Sequence, residues 1–253
     1  MLTDAQKHHF ETLGFLCLRD FFPADELQRY TDAFDETLMR ARGLKALEPD
    51  EERRTIATLR FFESNPAVYH PLLDGDKLNE LIGDLLGEEY VFTVSEGALR
   101  THNTNWHHDD VAPEGHLHLK VIFYLEPVRA ATGCLCVLPG SHFLPYRERM
   151  EEYGKDILPL GKDVPGIYPI ETDPGDLLVF NVKLYHAAFG EGAKRRGIYI
   201  NFIQKPRTEA EAEYIKWLYH KDGGYYTPVT FKDAPPRRLR MLQFLKEACY
   251  ESE

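Results

Sequence analysis

Thr104-Asn105-Trp106-His107-His108-Asp109-Asp110 places two imidazoles and two carboxylates in four consecutive positions. Side chains on an extended strand alternate with period two. A histidine and a carboxylate two positions apart therefore share a side and can give two ligands to one metal ion. The stretch holds two such pairs, His107/Asp109 and His108/Asp110. Periodicity alone does not choose between them. The third ligand has to come from elsewhere in the chain. Two imidazoles and one carboxylate on one face of an ion leave positions open, which suits a non-haem Fe(II) oxygenase.

His186 is the best distal ligand. It closes the run from Gly175-Asp176 through Leu177-Leu178-Val179-Phe180 to Tyr185-His186, which reads as a turn, a strand and a histidine. Ala187, Ala188 and Gly190 follow, small enough to let a ligand approach. Lys194-Arg195-Arg196 then leads into Gly197-Ile198-Tyr199-Ile200-Asn201-Phe202, and an arginine at the mouth of a strand suits two-pronged capture of a carboxylate.

Outward from these runs, β-rich segments recur at Tyr90–Val94, Leu117–Leu125, Cys134–Leu138, Leu177–Val182 and Gly197–Ile203, separated by glycine, proline and polar residues. The preceding third is helical. Thr3-Asp4-Ala5-Gln6 has the form of a capping box, and Gly14 ends the helix it opens. Pro23 to Gly43 holds Leu27, Tyr30, Phe34 and Leu38 at helical spacing, and Asp76–Leu86 does the same with five aliphatic residues. Residues 44–56 read as a surface connection, and 147–172 as a lid or surface excursion. Helices are expected over Glu209–Tyr219 and Arg237–Tyr250, giving a helix face or a homodimer contact. Strands after a helical third suggest a barrel or sandwich with helices packed outside.

With 41 acidic against 30 basic residues the net charge is −11, which argues against nucleic acid or an anionic membrane surface as partner and leaves a small-molecule substrate. No run approaches the ~20 apolar residues of a membrane span, and the polar start lacks the order of a signal peptide. Cys17, Cys134, Cys136 and Cys249 are expected to be plain buried thiols in a cytoplasmic protein.

Taken in order, Trp106-His107-His108-Asp109, the Gly133-to-His142 run with its Pro139-Gly140-Ser141-His142 turn, Gly175-Asp176 to His186, and Arg195-Arg196 resemble the phytanoyl-CoA dioxygenase family. The opening, from Leu2-Thr3 to Leu27, resembles that family's helical lead-in. The likeness covers roughly residues 2–204. It implies a mainly β fold with flanking helices, a double-stranded β-helix or cupin-like jelly roll. One oxygenase domain over 1–253 follows, with a lead-in at 1–87, the jelly-roll core at 88–204 and a C-terminal helical portion at 205–253.

The resemblance also selects the register. It makes His107, Asp109 and His186 the Fe(II) ligands, with His108 and Asp110 facing the other way. It makes Arg195 the anchor of the 2-oxoglutarate co-substrate, in phase with Gly197, Tyr199 and Asn201; Arg196 is the alternative if the strand slips by one. Lys120 or Tyr124 would give the co-substrate a second contact, and Trp106, Tyr199 and Asn201 are candidate substrate contacts. The implied reaction uses O2, converts 2-oxoglutarate to succinate and CO2, and hydroxylates an unidentified small molecule. Asp109 favours hydroxylation over halogenation, because related halogenases keep that position small.

Trp106 is expected to pack beside the site rather than to take part in the chemistry, His142 to shape a turn, Asp176 to start a strand, and His102, His116 and His118 to be loop or surface histidines rather than ligands. Two other functions compete: a cupin-like metalloenzyme that does not use 2-oxoglutarate, against which the arginine after His186 speaks, and a non-catalytic metal- or ligand-binding barrel. No basic run resembles a clamp for CoA phosphates.

Overall fold

The computed structural model describes residues 1–48, 55–109, 112–190, 193–221 and 223–251. Helix α1 (Asp4–Leu13) begins as expected: the Gln6 amide donates to the Thr3 hydroxyl, and the Thr3 amide donates to the Gln6 side chain. Gly14 ends it at φ 85°, in the left-handed region open to glycine. Strand β1 (Phe15–Leu18) and α2 (Ala24–Arg42) follow, and Tyr30, Phe34 and Leu38 are wholly buried on α2 while Leu27 is only partly so.

The stretch expected to be a plain connection ends in strand β2 (Thr55–Leu59); residues 49–54 lie outside the described residues. Two short helices, α3 (Phe61–Ser64) and α4 (Pro66–Asp74), precede α5 (Asp76–Leu86). α3 and α4 have no sequence signal of helical period. One is a single turn, and the other carries Pro71 inside it.

Strand β3 (Tyr90–Arg100) continues well past Val94, where the β-rich run was expected to end. Gly97 marks a close approach of packed parts. A Cβ there would stand 2.3 Å from the ring of buried Phe61. Gly97→Ala is accordingly expected to lower stability by about 1–3 kcal/mol through overpacking, read as a fall in the thermal midpoint. An unchanged midpoint would mean that Phe61 moves freely.

The rest of the barrel is β4 (Thr104–His107), β5 (His118–Tyr124), β6 (Leu135–Val137), α6 (Leu144–Ile157), β7 (Tyr168–Ile170), β8 (Leu177–Asn181), β9 (His186–Ala188) and β10 (Arg195–Gln204). The strands form a six-stranded sheet, β1-β8-β5-β10-β3-β2, and a four-stranded sheet, β4-β9-β6-β7, with antiparallel pairing throughout both. These mostly antiparallel sheets with flanking helices have the cupin or jelly-roll architecture. Alternation divides the core. Leu119, Val121 and Phe123 of β5 pack under the helices, whereas Ile122 and Tyr124 pack between the sheets with Leu135, Leu178 and Phe180.

One expectation is corrected. Residues 147–172 are no excursion: they hold most of α6, a 3-10 turn (Leu158–Asp163) and β7, which pairs with β6. The pattern escaped notice because the buried face of α6 is Arg147, Met150 and Gly154. The C-terminal portion, α7 (Glu209–Lys221), α8 (Pro228–Phe231) and α9 (Pro236–Leu245), turns several of its aromatics inward and leaves Trp217 half exposed. Tyr219, Tyr225 and Tyr226 are buried in the core under the six-stranded sheet, and the Tyr226 hydroxyl donates to the Phe92 carbonyl. No helix of the described residues is long and apolar enough to cross a membrane.

Candidate metal centre and its cavity

His107 and His186 are register partners on adjacent strands β4 and β9, so their rings stand side by side with centroids 4.2 Å apart. Each imidazole meets a backbone carbonyl through Nδ1, His107 with Asn105 at 2.8 Å and His186 with Leu184 at 2.9 Å. Each can therefore donate from Nδ1 and keep the Nε2 lone pair free, which is how metal-bound histidines are oriented. Asp109 follows β4, and its amide donates to the Val182 carbonyl. Its Oδ1 lies 3.7 Å from His107 Nε2 and 3.8 Å from His186 Nε2. Among the described residues these three side chains form a cluster whose ligand atoms all lie within 4.8 Å of one another. Two imidazoles and a carboxylate fit a divalent iron.

The electrostatics agree with that fit. Burial pushes the His186 pKa down to about 4, so its ring is unprotonated at neutral pH. Burial opposes ionisation of Asp109, but Lys120, His107 and His186 outweigh it and hold the carboxyl well below its usual range. His186 is set in place from behind: the wholly buried Ser141 hydroxyl accepts from the Tyr185 amide, and His142 bonds the Glu11 carbonyl. The Pro139-to-His142 turn is thus structural.

A cavity of about 100 Å³ opens from these three side chains, lined also by Glu96, Arg100, Thr104, Lys120, Tyr124, Leu135, Ala188, Arg195 and Tyr199. Arg195 is 3 % exposed. Its guanidinium donates to the carbonyls of Thr132, Gly190 and His102, which leaves two of its five donors. It passes directly over Gly133, where a Cβ would stand 1.9 Å from it. Arg196 faces the opposite side of β10 and bonds Glu126 and Asp35.

Of the candidates, Tyr199, Lys120 and Tyr124 line the cavity. Trp106 does not: alternation on β4 turns it away from the ligands, and its indole donates to the Gly161 carbonyl while its ring packs on Phe189. Asn201 lies beyond Tyr199, outside the cavity lining. His108 points away from the ligands onto Tyr185, with ring centroids 5.2 Å apart; Asp110 lies outside the described residues. His116 and His118 are buried rather than superficial. Burial lowers His118 to about 3 and, elsewhere, His70 to about 4.

Both histidines therefore stay neutral in the folded chain at a pH where the unfolded chain protonates them, near 6.5. Their contribution to stability is full above that value and declines as pH falls through it. Urea unfolding at pH 5 is expected to show a loss on the order of 2 kcal/mol per histidine relative to pH 7.5. A flat profile would mean that these rings accept protons in the folded state.

Arg100 and Glu96 were missed by sequence reasoning. Arg100 is the register partner of Arg195, holds Glu96 at 2.8 Å and lies over the Tyr199 ring. The signal was there, since Glu96, Ala98 and Arg100 share a phase, but it needed β3 to run past Gly97.

A family model described as phytanoyl-CoA dioxygenase matches residues 10–197. A probable phytanoyl-CoA dioxygenase of Caenorhabditis elegans is 22% identical over 231 residues, covering 77% of this chain and 72% of that one. The crystal structure of EvdMO1 superposes with a TM-score of 0.63 at 24% identity over 80% of this chain, which spans only half of that protein's length. HygX from Streptomyces hygroscopicus, solved with nickel and 2-oxoglutarate bound, superposes with a TM-score of 0.64 at 20% identity, covering 83% of this chain and 90% of that one.

Proposed function

The chain belongs to the phytanoyl-CoA dioxygenase family and is an Fe(II)- and 2-oxoglutarate-dependent oxygenase; from that premise we propose that it hydroxylates a small molecule. In this reading His107, Asp109 and His186 hold the iron, and Arg195 anchors the distal carboxylate of 2-oxoglutarate. The observation that carries it is the meeting, in one cavity, of three convergent ligand atoms with a buried arginine whose other donors are tied to carbonyls.

The iron, when bound, supplies O2 activation coupled to decarboxylation of the co-substrate. The chain's own residues do the rest. The two Nδ1 contacts fix the ring orientations, and Arg195 sets which end of 2-oxoglutarate faces the ligands. Tyr124 and Tyr199 form one wall of the cavity. Asp109 occupies a position that halide would need, so hydroxylation is favoured. The region 1–253 acts as one oxygenase unit in this reading. HygX, which its structure shows with 2-oxoglutarate, supports the assignment of the co-substrate.

The test is succinate formed from 2-oxoglutarate with Fe(II) and ascorbate, across a panel of small hydrophilic and apolar candidates. Turnover that requires both iron and 2-oxoglutarate supports the reading. An iron-loaded protein that leaves 2-oxoglutarate untouched and unbound overturns it in favour of a metalloenzyme that does not use this co-substrate.

A further inference from the structure

The two oxygens of Asp109 keep different company. Oδ1 faces the Nε2 atoms of both histidines, while Oδ2 is 2.6 Å from the ammonium of Lys120. Lys120 is on β5, an interior strand of the six-stranded sheet, paired in register with Phe180 of β8 and Asn201 of β10. Its backbone is fixed on both sides, and its side chain reaches across the cavity to a ligand that follows the other sheet. Asp109 is the carboxylate with which Lys120 forms its ion pair.

We propose, resting on the function given above, that Lys120 is a positioning residue that keeps Asp109 one-toothed. A carboxylate can bind a metal through one oxygen or through both. With two imidazoles and one carboxylate oxygen, three positions of an octahedral ion stay open, two for a chelating 2-oxo acid and one for O2. If Oδ2 joined the ion, one of those positions would close. The ammonium holds Oδ2 outward and places a like charge beside the ion. The site gives up metal affinity to stay open, and Lys120 is not itself a ligand of the co-substrate.

The test uses the full chain, Mn(II) as the metal probe and Lys120→Met, which keeps an unbranched stem and removes the charge. Mn(II) is expected to bind the variant roughly tenfold more tightly, because a cation in contact with the carboxylate has gone. 2-Oxoglutarate, titrated calorimetrically into the Mn(II)-loaded protein, is expected to bind roughly tenfold more weakly. The thermal stabilisation that 2-oxoglutarate gives the metal-free protein, through Arg195, is expected to be unchanged. Lys120→Arg should restore both affinities.

Mn(II) affinity that is unchanged or lower in Lys120→Met overturns the proposal. So does a loss of 2-oxoglutarate binding in the metal-free protein, which would make Lys120 a direct co-substrate contact. Should Lys120→Met fail to fold, Lys120→Gln, uncharged and shorter, carries the same expectations. Wild-type protein that binds no Mn(II) would sink the functional reading itself, whereas normal wild-type binding with the wrong variant pattern sinks only the role of Lys120.

Discussion

His107→Ala is expected to abolish iron binding, and His108→Ala to leave it largely intact. The two imidazoles are chain neighbours of the same chemistry, so the contrast isolates direction. His107 stands beside His186 with its Nε2 near Asp109 Oδ1; His108 packs edge-on against Tyr185 on the far side of β4. Losing an outer partner of a metal ligand commonly costs 10–100-fold in affinity, so losing the ligand itself should exceed about a hundredfold. Titration of the purified chain with Fe(II) or Co(II), under anaerobic conditions, checks both variants. Equal losses would place the metal elsewhere.

Arg195→Ala should weaken 2-oxoglutarate binding by roughly a hundredfold, the value of about 3 kcal/mol in charge-assisted hydrogen bonds. Arg196→Ala should change it by less than about threefold. The two guanidiniums leave opposite faces of β10. One ends among three carbonyls at the cavity, the other between Glu126 and Asp35. Arg195→Ala also strands the carbonyls of Thr132, Gly190 and His102, so its thermal midpoint should fall. Arg195→Lys serves as the companion variant, keeping the charge without the fork. Binding is to be measured by calorimetry below the lowered midpoint. If Arg195 and Arg196 behave alike, or in reverse, the co-substrate does not use this face of β10.

Much of this was legible before the structure, and the reasons are local. Strand alternation offers His107/Asp109 and His108/Asp110 as pairs and the family resemblance selects the first, small residues after His186 leave room beside it, and caps such as Thr3/Gln6 and Gly43 announce helix ends without tertiary help. What escaped depended on packing. The β3 run was expected to end at Val94, whereas the strand continues through Gly97, a contact point for Phe61. α6 hides because its inward face carries Arg147. Trp106 was a reasonable substrate contact only until β4's alternation was seen to turn it toward Gly161. Arg100 had to await β3, and Lys120 was seen as a cavity residue while its grip on Asp109 was not, because that contact joins two sheets.

The edge strand β1 sets a schedule for folding. It pairs Phe15–Leu18 with the residues of β8 from Leu177 to Phe180, and Gly14 accepts a hydrogen bond from the Asn181 amide. Leu13 and Glu11 also hold the turn that supports His186. The first strand of the chain therefore waits unpaired until nearly three quarters of the polypeptide has been made. Loop closure over such separations is slow, and barrels of non-local pairings fold in milliseconds to seconds rather than microseconds. The nascent chain carries His107 and Asp109 long before His186 exists, so the third side chain of the cluster and the strand that steadies it arrive together. On the proposed assignment, iron capture is tied to completion of the sheet, and a partly made chain has no finished pocket in which to hold a redox-active ion.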